Sequence, residues 1–285
     1  MNQMILPKFG LGADVERIED DALITGRGHY VGDYMPAGVV HAALVRSPIA
    51  AGTFRITGGI EAARAAPGVH LVMTHDDIAH LGPLPCKGGK QQVDGSETPV
   101  PDRFALAKET VRHVGDPVAI VVADTVEQAE EAAELIEIDW SASPSVSDAG
   151  RALEAGAPLV WPHLGTNRAF RYSHGDAAGT EAAFARAAKV ARLEIVNNRL
   201  VTNYMETRGA VGEHDAATGR WTLTVGSQGG HSMKGIIAAD ILKVDPERLR
   251  VVTPDVGGGF GTKIFVYPEY PLVLVAAETL GRPVK

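Results

Sequence analysis

A continuous apolar run at Pro117–Ala123 constrains the fold more than any other feature of the sequence. The run is short and rich in valine, which is typical of a strand covered on both faces. Asp124 or Thr125 can cap the segment that follows, 126–135, where alanines and glutamates recur at helical spacing. Residues 136–140 alternate again, so the pattern predicts strand, helix, strand and an α/β layer.

Periodicity and turn residues also predict the helices, strands and loops of the rest of the chain. It predicts helices at 60–66, 178–188, 231–242 and 270–280, with a helical turn at 76–78. It predicts further strands at 39–45, 69–73, 190–196, 220–225 and 249–252, and a long exposed loop at 82–103. Serines and prolines accumulate at 141–168, so we place a domain boundary near residue 150, between domains 1–150 and 151–285.

Charge and composition exclude several classes of protein. The formal net charge is −8 at pH 7 and no Lys/Arg cluster occurs, so nucleic acid is not an expected partner. No stretch approaches the ~20 apolar residues of a membrane span, and residues 1–12 lack the apolar core of a secretory signal. Cys86 is the single cysteine, interpreted as a bystander thiol in a loop, and we expect a cytoplasmic protein.

The segment DVGGGFGTK at 255–263 carries the strongest local signal for a binding site. Glycine fills four of the five positions 257–261, so the backbone can approach a ligand closely and adopt positive φ. Successive N–H groups there can form an anion-binding nest, and Phe260 is predicted to be presented rather than buried. A flexible structural turn is the alternative.

Two familiar phosphate-binding motifs do not fit this segment. A P-loop needs lysine directly after its last glycine, whereas Thr262 separates Gly261 from Lys263. A dinucleotide fingerprint needs G-x-G-x-x-G, whereas Gly257, Gly259 and Gly261 give G-x-G-x-G. A nicotinamide dehydrogenase is therefore a weak alternative.

Two polar segments are further candidates. GSQGGH at 226–231 ends a predicted strand and precedes a helix, where the carboxamide of Gln228 and the helix N-terminus could meet a ligand. The alternative is simple capping by Ser227. Glu206 and Arg208 are interpreted as a structural ion pair. No histidines have H-x-x-x-H or H-E-x-x-H spacing, so no metal held by protein ligands is predicted.

Together these segments resemble the large subunits of the xanthine dehydrogenase, aldehyde oxidase and carbon monoxide dehydrogenase family. The similar segments are RIED at 17–20, TGRGHYVGD at 25–33, HAALVRSP at 41–48, VGDPVA at 114–119, ME at 205–206 with Arg208, SQG at 227–229 and GGGFGTK at 257–263. Their order along nearly the whole chain is more specific than any one of them.

The resemblance implies an α+β chain: an N-terminal α/β hammerhead domain, then an incomplete mixed α/β molybdopterin-binding domain. Molybdenum would be held by the dithiolene of a pterin, in the cytosine dinucleotide form, and not by protein ligands. The implied cofactor-binding residues are Gln228, Gly229, Gly258, Gly259, Phe260 and Gly261. Gln228 would hydrogen-bond an oxo or hydroxo ligand of the metal, and the glycine-rich loop would place N–H groups and an aromatic wall beside it.

The resemblance also implies a reaction and partners. Members hydroxylate a small-molecule substrate with water-derived oxygen and pass electrons to 2Fe–2S clusters and FAD, here expected on a small and a medium partner subunit. Ile264 stands where purine-oxidising members carry glutamate, which favours the carbon monoxide dehydrogenase-like branch. Ala50, Ala51 and Gly52 replace a His-Ala-Arg often seen there.

No catalytic residue is assigned, because the family's catalytic glutamate lies beyond residue 285. Val284 and Lys285 look like the start of another strand, so we expect the rest of the second domain to follow or to be a separate chain. The alternative function is a non-catalytic truncated or split paralogue that acts as a scaffold or assembly partner.

Overall fold

The computed structural model describes residues 10, 15–86, 92–198 and 200–285. Its strands are β1 (His41–Arg46), β2 (Gly52–Gly58), β3 (Val69–Thr74), β4 (Thr110–Val111), β5 (Pro117–Ala123), β6 (Glu137–Ala142), β7 (Ala210–Asp215), β8 (Arg220–Val225) and β9 (Leu249–Val252). Its α-helices are α1 (Asp20–Ile24), α2 (Ile60–Ala65), α3 (Val126–Glu134), α4 (Ala177–Arg186), α5 (Gly230–Gly235) and α6 (Glu269–Leu280).

The described strands form three small sheets, in the orders β1-β5-β3, β4-β2-β6 and β7-β8-β9. All the pairs are antiparallel except β8 with β9, which is parallel. The apolar run predicted as a covered strand is β5, and every one of its residues is buried. The predicted strand, helix and strand are all present, and the two strands, β5 and β6, lie in different sheets.

Alternate residues of β5 face two different cores. Ala119 and Val121 pack with α2 and α3, whereas Ile120 and Val122 belong to a larger cluster that includes α6 and β8. Because side chains alternate across a strand, α3 and α6 lie on opposite faces of the β1-β5-β3 sheet. The larger cluster therefore joins residues from both predicted domains, and the boundary near residue 150 stays a prediction.

Helix α6 is apolar around most of its circumference, as expected of a helix packed on several sides. Its buried residues run from Tyr270 to Ala277. It packs against β7 and also contacts β8 and β3, so it lies between two sheets. Gly281 ends the helix with φ 61° and donates its N–H to the carbonyl of Ala277, as predicted for a helix stop at this glycine.

The predicted strand at 190–196 is wrong. No strand is assigned there, and Leu193, Ile195 and Val196 are exposed. The alternation is real, but the described part of the chain offers this segment no strand to pair with, and an unpaired strand cannot satisfy its backbone groups. The helix that precedes it, α4, is capped by Asp176 and buries none of its residues.

The single helix predicted at 231–242 is two elements. Helix α5 ends at Gly235 and continues as a π-helix over Ile236–Leu242. The π-helix buries Ile237, Ala238 and Ile241, and the carbonyl of Ile241 accepts a hydrogen bond from the N–H of Gly82. Periodicity alone does not distinguish such widened turns from an α-helix.

Three strands were missed, β2, β4 and β7, and one short prediction is confirmed. Strand β2 carries Phe54 and Ile56 between polar residues, a period-two pattern that was available in the sequence. Strand β7 was also missed. The predicted strand start at the last two residues is confirmed, because Val284 bridges to Val40 in parallel and to Gly212 in antiparallel fashion.

The termini and loops add little further structure. Nearly all of 1–12, where no secretory signal is expected, and residues 87–91 of the predicted loop lie outside the described residues. Cys86 is exposed and unpaired. Among the described helices, none has the length and apolar character that crossing a lipid bilayer requires.

Thr125→Ala is expected to lower the stability of the chain by about 1 kcal/mol. The Thr125 side chain accepts a hydrogen bond from the N–H of Gln128, and the Gln128 side chain accepts one from the N–H of Thr125. These two bonds form the capping box at the start of α3, and the substitution removes the first of them. Thermal unfolding of the purified protein measures the loss. Thr125→Ser keeps the hydroxyl and should unfold close to the native Tm; an equal loss in both variants would contradict the capping role.

Candidate functional site

The structure brings together the two segments that the sequence singled out. Gln228 follows β8, and its Oε1 accepts hydrogen bonds from the N–H of Gly261 at 2.9 Å and of Lys263 at 3.2 Å. The N–H of Gln228 in turn donates to the carbonyl of Lys263 at 3.0 Å. Gln228 therefore fixes the end of the glycine-rich loop by three hydrogen bonds, two through its side chain and one through its main chain.

This arrangement leaves a set of hydrogen-bond donors unpaired. With Oε1 engaged by the loop, the Nε2 group of Gln228 makes no hydrogen bond to any residue that the structure describes. The N–H groups of Gly258, Gly259 and Phe260 likewise have no acceptor among the described residues. The surface thus presents donors, which suit a ligand rich in oxygen acceptors.

Several glycines of the loop are required by its conformation. Gly258 and Gly261 have φ of 97° and 86°, in the left-handed region that favours glycine. A Cβ added to Gly259 would lie 2.5 Å from Oε1 of Gln228, so only glycine lets the carboxamide approach. Gly229 differs, since its φ of 177° is ordinary extended backbone with open space beside it.

Phe260 is the exception within the loop. It has φ 47°, a left-handed conformation that costs a non-glycine residue roughly 1–2 kcal/mol. Its side chain is nevertheless 75% exposed, so burial of the ring does not compensate for the strain. As predicted from the sequence, the aromatic ring is presented and not packed. Such an outlier points to a role outside folding.

A buried ion pair closes the base of the loop. Lys263 is fully buried, and its Nζ lies 2.7 Å from Oε2 of Glu206 and 3.0 Å from the Glu206 carbonyl. The same Oε2 accepts from the N–H of Gly257 at 2.9 Å. One carboxylate therefore holds the first residue of the loop through its amide and the last through its ammonium group.

The opening segment of the chain supports the same base. The N–H of Val31 donates to Oε1 of Glu206 at 3.4 Å. Nearby, His29 and Asp255 form a mutual pair, in which the N–H of His29 donates to the Asp255 carboxylate and the N–H of Asp255 donates to the His29 carbonyl. The segments 29–31 and 255–263 and the residue Glu206 therefore lie together at the base of the loop.

The predicted ion pair between Glu206 and Arg208 is wrong. Glu206 pairs with Lys263, and the guanidinium of Arg208 instead lies 3.5 Å from the centroid of the Tyr267 ring. Sequence reasoning gave Lys263 no role, because burial of a lysine next to a flexible-looking glycine run has no local signature. The only signal in the sequence for a role of Lys263 was its position at the end of that run.

The candidate surface is open and contains no assembled metal site. A cavity of about 890 Å³ lies between β1, α3 and α6 and is not lined by Gln228 or the loop. Within the described residues, no group of three histidine, cysteine, aspartate or glutamate side chains could hold a metal ion. A metal at this surface would have to arrive with its own ligands.

Two family patterns match the chain in sequence. The one described as the aldehyde oxidase and xanthine dehydrogenase a/b hammerhead domain covers residues 25–144, and the one described as the molybdopterin cofactor-binding domain covers 160–285. The predicted α+β fold, with a hammerhead domain first, is confirmed.

Curated relatives and a solved structure agree with these patterns. The nicotine 6-hydroxylase large subunit of Paenarthrobacter nicotinovorans is 36% identical over 96% of this chain and 33% of that relative. The carbon monoxide dehydrogenase large chain of Hydrogenophaga pseudoflava is 34% identical over 94% of this chain and 33% of the relative. The crystal structure of quinoline 2-oxidoreductase from Pseudomonas putida 86 matches with a TM-score of 0.84 and 34% identity, over 98% of this chain and 34% of that one.

A hammerhead domain followed by a molybdopterin-type domain, with a glycine-rich loop pinned by a glutamine, defines the class of molybdenum hydroxylase large subunits. The chain belongs to the xanthine dehydrogenase, aldehyde oxidase and carbon monoxide dehydrogenase large-subunit family. It spans about a third of the length of the curated relatives that it matches.

Lys263→Met is expected to destabilise the protein by about 3 to 5 kcal/mol, because it leaves the Glu206 carboxylate, only 13% exposed, without its cation. Denaturant unfolding measures the loss. Lys234→Met removes the cation of a pair with the largely exposed Glu247 and should cost less than about 1 kcal/mol. The double variant Glu206→Gln/Lys263→Met should recover part of the loss; similar losses for the two lysine variants would contradict the assignment.

Gly259→Ala is expected to push the Gln228 carboxamide away from the loop, since the new methyl group would lie only 2.5 Å from Oε1. The loss of the two hydrogen bonds should cost about 1 to 3 kcal/mol in thermal unfolding. Gly229→Ala is the matched control, because it meets open space at ordinary φ and should stay within about 0.5 kcal/mol of the native protein. If the two variants unfold alike, the close contact with Gln228 is not important.

Proposed function

We propose that this chain provides the first part of the molybdopterin-binding surface in a molybdenum hydroxylase. The observation that carries the proposal is the contact between Gln228 and the glycine-rich loop. Oε1 holds the loop, so that Nε2 and three consecutive loop amides stay free to donate. Membership of the large-subunit family supports the same reading.

The residues present suit a molybdenum–pterin group. Its phosphate and metal-bound oxygens are hydrogen-bond acceptors, and the unpaired groups of Gln228, Gly258, Gly259 and Phe260 are donors. The bound group would supply the two-electron redox chemistry of a hydroxylation, while this chain binds and orients it. Gly229 lies beside Gln228 and leaves room for close approach, and Gly261 permits the turn that aims the loop.

Phe260 would act as a wall of the site. Its exposed ring, held in a left-handed backbone conformation, can exclude water from one side of a reacting substrate. We assign no proton transfer to this chain, because no side chain in the described surface both lies beside the free donors and has an unengaged carboxylate. The base for that step belongs to the region that the longer relatives carry beyond this third.

The finer parts of the proposal rest on the family. We propose the cytosine dinucleotide form of the pterin, and electron transfer to a 2Fe–2S small subunit and a FAD-binding medium subunit. The relative named as a subunit of the 6-hydroxypseudooxynicotine dehydrogenase complex supports a multi-subunit assembly. Ile264 still favours the carbon monoxide dehydrogenase-like branch over purine oxidation. We place the complex in the cytoplasm and keep the division into domains 1–150 and 151–285.

The variant Gln228→Glu tests whether Gln228 orients the cofactor or only stabilises the fold. A carboxylate oxygen can still accept from Gly261 and Lys263, but the outward N–H₂ donors are lost and a negative charge takes their place. In the complete purified assembly we expect a fall in kcat of about 10²-fold with Tm little changed. Gln128→Glu, which keeps the capping oxygen of α3, adds the same charge far from the site and should leave turnover unchanged.

The measurements are turnover, Tm, and the molybdenum and pterin content of each preparation. Parallel losses of Tm and activity in Gln228→Glu would contradict a role in orienting the cofactor. A complete, folded assembly that contains partner subunits but no molybdenum would end the proposal, and would favour the scaffold alternative.

A further inference from the structure

Arg112 is a partly buried cation whose guanidinium has no hydrogen-bond acceptor in the described chain. It directly follows β4, and its Nε is buried without a partner. The Asp116 carboxylate accepts from the backbone N–H of Arg112 at 3.1 Å and lies 3.6 Å from Nδ1 of His113, but it makes no ion pair with the guanidinium. Burial lowers the pKa of Arg112, and the charge of Asp116 opposes this shift only in part. The buried N–H therefore lacks the acceptor that such a group normally has.

An aromatic ring holds this guanidinium in place. The Cζ of Arg112 lies 3.7 Å from the centroid of the Trp161 ring, which is a cation–π contact. The segment around Trp161 is itself fixed by Asn167, whose Nδ2 donates to the carbonyl of Pro158 at 2.8 Å and whose Oδ1 accepts from the N–H of Val160 at 2.9 Å. The donors of Arg112 are therefore held in one orientation before any ligand arrives.

Arg112 also lines a cavity of about 230 Å³ within the hammerhead domain. Two further cations line the same cavity, Arg103 and Lys108, and neither forms an ion pair with a described residue. Phe104 and Ala107 provide apolar wall. Neither Gln228 nor the glycine-rich loop lines this cavity, so it is separate from the candidate molybdopterin surface.

The donors in this cavity suit a tetrahedral oxyanion. A guanidinium presents its Nε–H and one Nη–H along the same edge, where two oxygens of one phosphate can accept both hydrogen bonds. A water molecule occupies about 30 Å³ in the liquid, so the cavity has room for a phosphate group and a few water molecules. The ammonium group of Lys108 adds a flexible positive charge.

Carboxylates in the same walls limit the affinity for anions in general. Asp102 and Glu109 are exposed and line the cavity together with Asp116, so the formal charges of the lining side chains balance. Within the described residues, none of the three carboxylates is in ion-pair contact with any of the three lining cations. A ligand must therefore gain from directed hydrogen bonds and not from net charge, which favours phosphate over a spherical anion such as chloride.

We propose that this cavity binds a phosphate group, either inorganic phosphate or that of a small phosphate ester, through the edge of Arg112 and the side chains of Lys108 and Arg103. The bound group would supply the acceptor that the buried Nε–H lacks. The site shares no residue with the proposed molybdopterin surface, so either proposal can fail without the other.

Isothermal titration calorimetry on the complete purified assembly tests the site, with chloride used to keep the ionic strength constant. Inorganic phosphate and glycerol 3-phosphate are titrated separately, and the tighter ligand identifies the source of the phosphate group. We expect saturable binding with a Kd at or below about 1 mM for the tighter of the two. Failure of both to saturate at about ten times that concentration would overturn the proposal, including the case in which a partner subunit fills the cavity.

Three variants show whether the binding belongs to this cavity. Arg112→Gln removes the guanidinium edge and should weaken binding about tenfold or more. Lys108→Gln changes an exposed side chain that the fold does not need, and should weaken binding about threefold or more with Tm unchanged. Arg55→Gln is the matched control, because it removes an exposed cation from β2, in the same sheet as β4 but outside the cavity, and should leave Kd within about twofold. Unchanged binding in Arg112→Gln and Lys108→Gln, or an equal loss in Arg55→Gln, would contradict the assignment.

Discussion

A buried ammonium group needs a compensating charge and acceptors, and the site depends on how this chain provides them for Lys263. Glu206 supplies both a carboxylate and a carbonyl, and the same carboxylate takes the amides of Gly257 and Val31. The ends of the loop are thereby held together while its middle has few contacts. A loop held at its ends by Glu206 and at Gly261 by Gln228 can carry a strained, exposed residue such as Phe260 without unfolding its surroundings.

The second constraint is that the oxygen and the nitrogen of the Gln228 carboxamide have different roles. Oxygen and nitrogen of Gln228 face opposite ways, and the loop amides fix which is which, because only the oxygen can accept from Gly261 and Lys263. The donor side is then directed outward by the fold and does not depend on a ligand. Preorganised donors of this kind need no rearrangement when charge develops near them, which is where they contribute most to a reaction.

Local patterns in the sequence predicted the features that depend on interactions between residues close together in the chain. The strand at Pro117–Ala123, a helix cap at Asp124 or Thr125 and the stop at Gly281 each depend on near neighbours; the structure has the strand and the stop, and Thr125 is the cap. The pairing of Glu206 with Lys263 joins residues 57 positions apart, and no spacing rule predicts it. The proximity of Gln228 to the glycine-rich loop came from family resemblance, not from periodicity.

The failed strand prediction at 190–196 has a physical reason. The sequence alternates there as a strand does, but the described chain contains no second strand to pair with the segment, so its apolar side chains are exposed. Val284 shows the opposite case, because it bridges both to Val40, next to β1, and to Gly212 of β7. These two bridges connect the hammerhead sheet to the sheet whose β8 leads to Gln228. The position of the candidate site therefore depends on pairing that reaches both sheets, and not on β8 alone.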